Sequence, residues 1–230
     1  MYVSTETLDD LLRAVYRRLL RTPHRVKSSK GPNREVSGVL LEVKKPTARL
    51  SRTETKGTVF SCLGETLWYL SGSGKLDFVA WYVPLYRQFS DDKRTLYGAY
   101  GPRLRGMRGK TDQLKSVIKL LKKKPQTRQA VVQLFNAEDI LKSHKDIPCT
   151  CTIQFMIRGK RLHVLTNMRS NDAFWDSRTI YLPSLFCRSS WLEVSESRLA
   201  PISMPLEVSI STISIVSKLA ISLMRDGSLR

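Results

Sequence analysis

The residues best suited to chemistry lie in two short runs, Pro148-Cys149-Thr150 and Arg169-Ser170-Asn171-Asp172, about twenty positions apart. Together they offer a potential thiolate, a guanidinium, a hydroxyl and a carboxylate. A cysteine attacks as its thiolate, so a nucleophilic Cys149 needs a nearby cation that favours the charged form. Arginine suits that role because it stays charged and can also fork onto a phosphate. The intervening residues predict how the runs meet. Thr152 to Arg158 and Arg161 to Asn167 are rich in β-branched and apolar residues and flank Gly159-Lys160, which predicts a β-hairpin.

Other motifs occur in order along the chain: Gly64-Glu65-Thr66-Leu67-Trp68-Tyr69-Leu70; Leu96-Tyr97-Gly98-Ala99-Tyr100-Gly101-Pro102-Arg103; Asp112-Gln113-Leu114; Pro125-Gln126-Thr127-Arg128; and Phe135-Asn136. With Pro148-Cys149-Thr150 and Arg169 to Trp175, this series resembles the thymidylate synthases and their pyrimidine hydroxymethylase relatives, from about residue 8 to Trp175. The resemblance implies that Cys149 adds to C6 of a pyrimidine nucleotide, so that C5 captures the one-carbon unit of 5,10-methylenetetrahydrofolate. It implies that Arg169 and Ser170 hold the 5′-phosphate and that Glu65 relays protons around the base. Tyr100 would stand near C5, Asp172 and Trp81 would contact the folate, and Arg128 would reach the partner's phosphate in a homodimer. Gln129, Met168 and Thr150 depart from the arginine, glutamine and histidine of many members. The resemblance also implies thymidylate formation from deoxyuridylate, with a cytidylate hydroxymethylase as the alternative reaction. A non-catalytic remnant or basic nucleic-acid-binding protein is the alternative of another class.

Cys149-x-Cys151 with His144 or His163 could in principle ligate a metal, but no second cysteine pair accompanies it, so no metal is expected. The four cysteines are too few and too irregularly spaced for a disulfide scaffold. No apolar run has the length of a membrane span, and the first residues show no signal-peptide pattern, so a cytoplasmic protein is expected. The net charge of +19 first suggests nucleic acid. The basic residues are scattered through Arg17-Arg18, Lys44-Lys45, Arg103 to Arg108 and Lys122 to Lys124, which makes nucleic acid an unlikely main ligand. Such a field can steer anionic substrates.

The positioning elements follow from periodicity. Leu8, Leu11, Leu12, Val15 and Leu19 predict an amphipathic helix over 6–21. Residues 22–35 predict a mobile loop, 36–41 a strand and 58–70 a buried helix carrying Glu65. Leu114, Val117, Ile118 and Leu121 predict a helix ending before Pro125, and 129–135 a buried strand. The expected fold is a single mixed α/β domain, with a mixed sheet flanked by helices.

Residues 1–175 form the expected catalytic core, and 176–230 a separate tail. The 55 residues from Asp176 hold 13 serines, one glycine and no histidine. With one base restored after the Trp175 codon, the neighbouring frame allows Gly-Leu-Pro at the break. Over Leu199 to Ile213 it allows Gly-Thr-Tyr-Lys-His-Ala-Val-Gly-Ser-Leu-His-Leu-Tyr-Asp, which contains the sugar-holding His-x-Tyr of the resembled family. The tail therefore reads as an out-of-frame C-terminus, with a divergent tail as the alternative. Ile210 to Val216 alternates like a strand.

Overall fold

Thr7 starts the first helix because its backbone is extended while its Oγ1 accepts the amide of Asp10 at 3.3 Å. Helix α1 therefore runs Leu8–Arg21, two residues shorter than the periodicity predicts, with Asp9 and Asp10 in its first turn and Arg18 and Arg21 in its last. Both charge placements complement the helix dipole. Leu8, Leu11, Leu12, Val15 and Leu19 are buried, as the spacing requires. The protein is seen here as a computed structural model describing residues 1–28, 31–45, 58–159 and 161–173, with the backbone of 206–216.

The sheet is mixed. Strand β1 (Tyr2–Thr5) lies parallel to the end of β3 (Gly31–Val43), and β2 (Arg25–Ser28) lies antiparallel to its start. The loop expected over 22–35 is thus corrected to a hairpin arm, and the expected 36–41 strand is seven residues longer. Its pairing rests on main-chain hydrogen bonds, which a basic, polar composition does not report. Strands β4 (Val131–Gln133), β5 (Thr150–Arg158) and β6 (Arg161–Met168) form an antiparallel meander. The strand expected over 129–135 shrinks to β4, because the amides of Leu134 and Phe135 both converge on the Cys151 carbonyl, at 2.8 and 3.2 Å.

Strand β8 (Leu206–Val216) lies between β3 and β6, antiparallel to the first and parallel to the second, while β7 (Asn171–Asp172) pairs beside it. The order is β1-β3-β8-β6-β5-β4. Against the sheet and one another pack α2 (Thr58–Leu70), α3 (Leu76–Tyr82), α4 (Tyr100–Gly106) and α5 (Gln113–Lys123). The core includes Leu11, Leu41, Trp68, Leu104, Leu121, Leu134 and Leu162, each under 2% exposed. Full burial of each is worth about 2 kcal/mol relative to exposure. Helix α2 is not buried all round as expected: Phe60, Leu63 and Leu67 are exposed, while Trp68 and Tyr69 enter the core. Gly64 lets α2 close on α3, since a Cβ there would sit 2.1 Å from Tyr82 Cγ.

Candidate active site

The β5–β6 hairpin brings the two chemical runs together as its sequence predicts, and an irregularity sharpens the approach. Thr150 pairs with Met168 and Thr152 with Asn167, so Cys151 is an extra residue on β5. Such a bulge bends its strand and re-aims the flanking side chains. Cys149 precedes the bulge and Arg169 follows β6, joined by Arg169 N–H donating to Cys149 O at 2.9 Å.

The Arg169 guanidinium is tethered by that same loop. Its Nε donates to Pro148 O at 3.0 Å and its Nη2 to Ile147 O at 3.1 Å, which leaves Nη2 3.7 Å from Cys149 Sγ. A permanent positive charge thus stands where a thiolate would form. Burial pushes the Cys151 thiol up, offset only in part by Arg169. Ser170 is half-buried beside Arg169.

Tyr100, buried at the start of α4, donates to Thr150 Oγ1 at 3.2 Å and accepts from the Thr150 amide at 3.1 Å. Burial first, and then the neighbouring Cys149 charge, push this phenol far above its ordinary range. Tyr69 of α2 packs against Tyr100 with the rings tilted by 37° and their centroids 5.2 Å apart. On α2, Glu65 Oε1 accepts from Tyr86 at 2.5 Å.

Asp172 is buried on β7. Beside it, the Tyr16 hydroxyl donates to Ala173 O at 2.8 Å, and that phenol is pushed up to about 12 by burial and then by the Asp172 charge. Trp81 is 83% exposed on α3, opposite the buried Leu76, Val79 and Ala80. Arg128 is exposed in the turn before β4, where its carbonyl accepts from Gln154. Phe174 and Trp175, and the proposed frame break that follows them, lie outside the described residues.

Sequence reasoning missed three contributors. Tyr86 comes from a 3-10 helix, Pro84–Phe89, that carries no motif. Asp146 lies so close to Gly98 that a Cβ there would meet its carboxylate at 2.4 Å. Its charge also reaches Tyr69 and Tyr100, where burial is the larger influence. Arg103 forms a buried two-pronged pair with Asp139, at 2.7 and 2.8 Å, that ties α4 to the segment after β4. Its neighbours Arg105 and Arg108 make the segment read as a basic run, so no sequence signal set Arg103 apart as buried. Among the described residues no group of three His, Cys, Asp or Glu side chains is placed to hold a metal, and no helix is long and apolar enough to cross a membrane.

Comparison with known proteins agrees with this geometry. A deoxyuridylate hydroxymethyltransferase of Bacillus phage SP01 is 32% identical over 154 residues, covering 62% of this chain and 40% of that protein. A second, of Delftia phage PhiW-14, is 33% identical over 137 residues, covering 54% and 37%. A thymidylate synthase of Francisella philomiragia is 29% identical over 136 residues, covering 53% and 50%. The chain thus spans half or less of the length of these curated relatives. The fold matches the crystal structure of thymidylate synthase from phage T4 with a TM-score of 0.74 at 19% identity, over 93% of this chain and 79% of that one. The family model described as thymidylate synthase matches residues 16–177, which takes in Glu65, Tyr100, Cys149 and Arg169. On that match, with the fold and the cysteine–arginine pair behind it, the chain belongs to the thymidylate synthase family.

Proposed function

We propose that the protein's active form transfers a one-carbon unit from methylenetetrahydrofolate to C5 of deoxyuridine monophosphate, giving thymidylate by reductive methylation. The observation that carries this reading is the 3.7 Å approach of Arg169 Nη2 to Cys149 Sγ, with the arginine anchored to the cysteine's own loop. Cys149 attacks C6 of the uracil ring, and the electron pair moves to make C5 nucleophilic. Arg169 favours the thiolate and, with Ser170 and the partner's Arg128, binds the phosphate. Tyr100 and Thr150 orient the ring edge, and Glu65 moves protons about the base.

The residues fit a folate. Asp172 offers a buried carboxylate that can accept from a pterin's N–H groups, and exposed Trp81 offers an aromatic face. The folate supplies the one-carbon unit and, in the reductive outcome, the hydride. A second reading, in which water and not hydride completes the reaction to give a 5-hydroxymethyl product, is favoured by the relatives from phages SP01 and PhiW-14 named for that activity. These names point to uridylate and not cytidylate as its substrate.

The same proposal includes a frame break after Trp175. The family match ends at residue 177. Ser209 and Ile210 of β8 lie opposite Asn167 and Met168, immediately before Arg169. The codon junctions that allow His and Tyr in the neighbouring frame fall at 209–212 of this strand. A restored frame would therefore place that pair on the strand beside the arginine.

Incubating a frame-restored protein with 5-fluorodeoxyuridylate and methylenetetrahydrofolate tests the reading. A covalent adduct mapped by mass spectrometry to Cys149 is expected; absence of an adduct, or one on Cys62 or Cys151, rejects it. With natural deoxyuridylate, mass analysis of the product separates a methyl from a hydroxymethyl group.

A further inference from the structure

We propose that Tyr86 is a positioning residue for Glu65, holding its carboxylate by a short hydrogen bond at Oε1. The inference rests on the reading of Glu65 as the proton-handling group of this site.

The contact joins two elements with no sequence motif in common. Tyr86 is presented by the 3-10 helix Pro84–Phe89, whose Tyr86 amide donates to Val83 O at 3.1 Å. Its ring is fixed by Trp68 at 5.6 Å and by the edge of Phe89 at 6.4 Å between centroids. The hydroxyl then has little choice of direction, and it meets Glu65 Oε1 at 2.5 Å. Its second neighbour is the Tyr69 hydroxyl at 3.4 Å.

Proton counting sets the order. An ionised carboxylate only accepts, so Tyr86 donates its one hydroxyl proton to Glu65. Tyr69 must then be the donor in the longer Tyr69–Tyr86 contact. Burial first, and then neighbouring negative charge with Glu65 among its sources, raises both phenols well above their ordinary range, and at Tyr86 the hydrogen bond to Glu65 adds to this. Neither tyrosine competes with Glu65 for the role of base. The titratable groups around this chain are Tyr69 on α2, Tyr100 on α4, Asp146 and Cys149. Tyr86 donates directly to the carboxylate, at 2.5 Å.

A hydrogen bond to the charged form of an acid lowers its pKa, and removing that bond raises it. The test is infrared titration of the Glu65 carboxyl in the full 230-residue chain, with Glu65→Gln as the difference blank. It needs no turnover, so it stands or falls separately from the Cys149 adduct. In Tyr86→Phe the Glu65 midpoint should rise by about one pH unit. In Tyr69→Phe it should rise by less than about half that, because only the polarisation of Tyr86 is lost. Far-UV circular dichroism verifies folding. Should Tyr86→Phe fail to fold, 3,5-difluorotyrosine at position 86, a stronger donor of nearly the same shape, should instead lower the midpoint. A midpoint that stays within about 0.3 units in either replacement, or that moves as far in Tyr69→Phe, overturns the proposal.

Discussion

Arg169 stands over Cys149 because its own guanidinium is spent on the cysteine's loop: Nε bonds Pro148 O at 3.0 Å, and Nη2 bonds Ile147 O at 3.1 Å while lying 3.7 Å from Sγ. Flexible surface arginines lose side-chain entropy when they engage an anion. This one is already ordered. The cation is therefore preorganised toward the nucleophile before any substrate phosphate arrives.

Replacing that cation should slow thiolate chemistry. In Arg169→Gln, alkylation of Cys149 by iodoacetamide at neutral pH should fall about tenfold, the effect of roughly one pKa unit. Peptide mass mapping reads each cysteine separately. Cys151, held up by burial, should react more slowly than Cys149 in the unsubstituted chain.

Gly64→Ala should destabilise the fold without touching the chemistry. The added Cβ would fall 2.1 Å from Tyr82 Cγ and 2.6 Å from its Cβ, the root of the side chain, which cannot swing aside without moving the backbone. A cost of about 2 kcal/mol is expected from overpacking, read as a lower urea midpoint with an unchanged slope.

The buried Arg103–Asp139 pair predicts a pH dependence. Burial alone would raise the Asp139 carboxyl, but hydrogen bonds from Arg103 and the Asn136 amide, with the arginine charge, hold it below the usual carboxylate range. A depressed native pKa contributes stability that is full above the unfolded value near 4 and is lost as pH falls below it. Asp139→Ala should cost about 3 kcal/mol at neutral pH, because it strands a buried guanidinium. The variant should also lose less stability than the parent on acidification; urea titrations across the acid range compare the two.

Arg128 provides a test of assembly. A frame-restored Arg128→Ala chain mixed with a Cys149→Ala chain should regain about a quarter of full activity. At equal mixing half of the dimers are mixed, and each would hold one intact site. No recovery under subunit exchange would place both residues in one chain's site.

Sequencing the gene across the Trp175 codon should show that one added base opens Gly-Leu-Pro and, downstream, His-Leu-Tyr. The 230-residue chain should then turn over at less than about a thousandth of the restored rate, a loss of roughly 4 kcal/mol of transition-state stabilisation. Near-normal turnover by the chain as written would remove the frame break from this account.

By itself the sequence determined the family, the β5–β6 hairpin that joins Cys149 to Arg169, and the buried faces of α1 and α5. Those features are local or periodic. A hairpin is written in two β-rich flanks and a turn, and a helix face in the spacing of its leucines. Only the tertiary structure decided the rest. The Cys151 bulge, the tethering of Arg169 to Pro148 and Ile147, and the pairing of β2 with β3 depend on main-chain groups that every residue shares. The Tyr86–Glu65 bond depends on where a 3-10 helix falls beside α2, twenty-one positions away in the chain. No run of residue types records which of the chain's tyrosines will meet a carboxylate, because that meeting is set by how the helices pack.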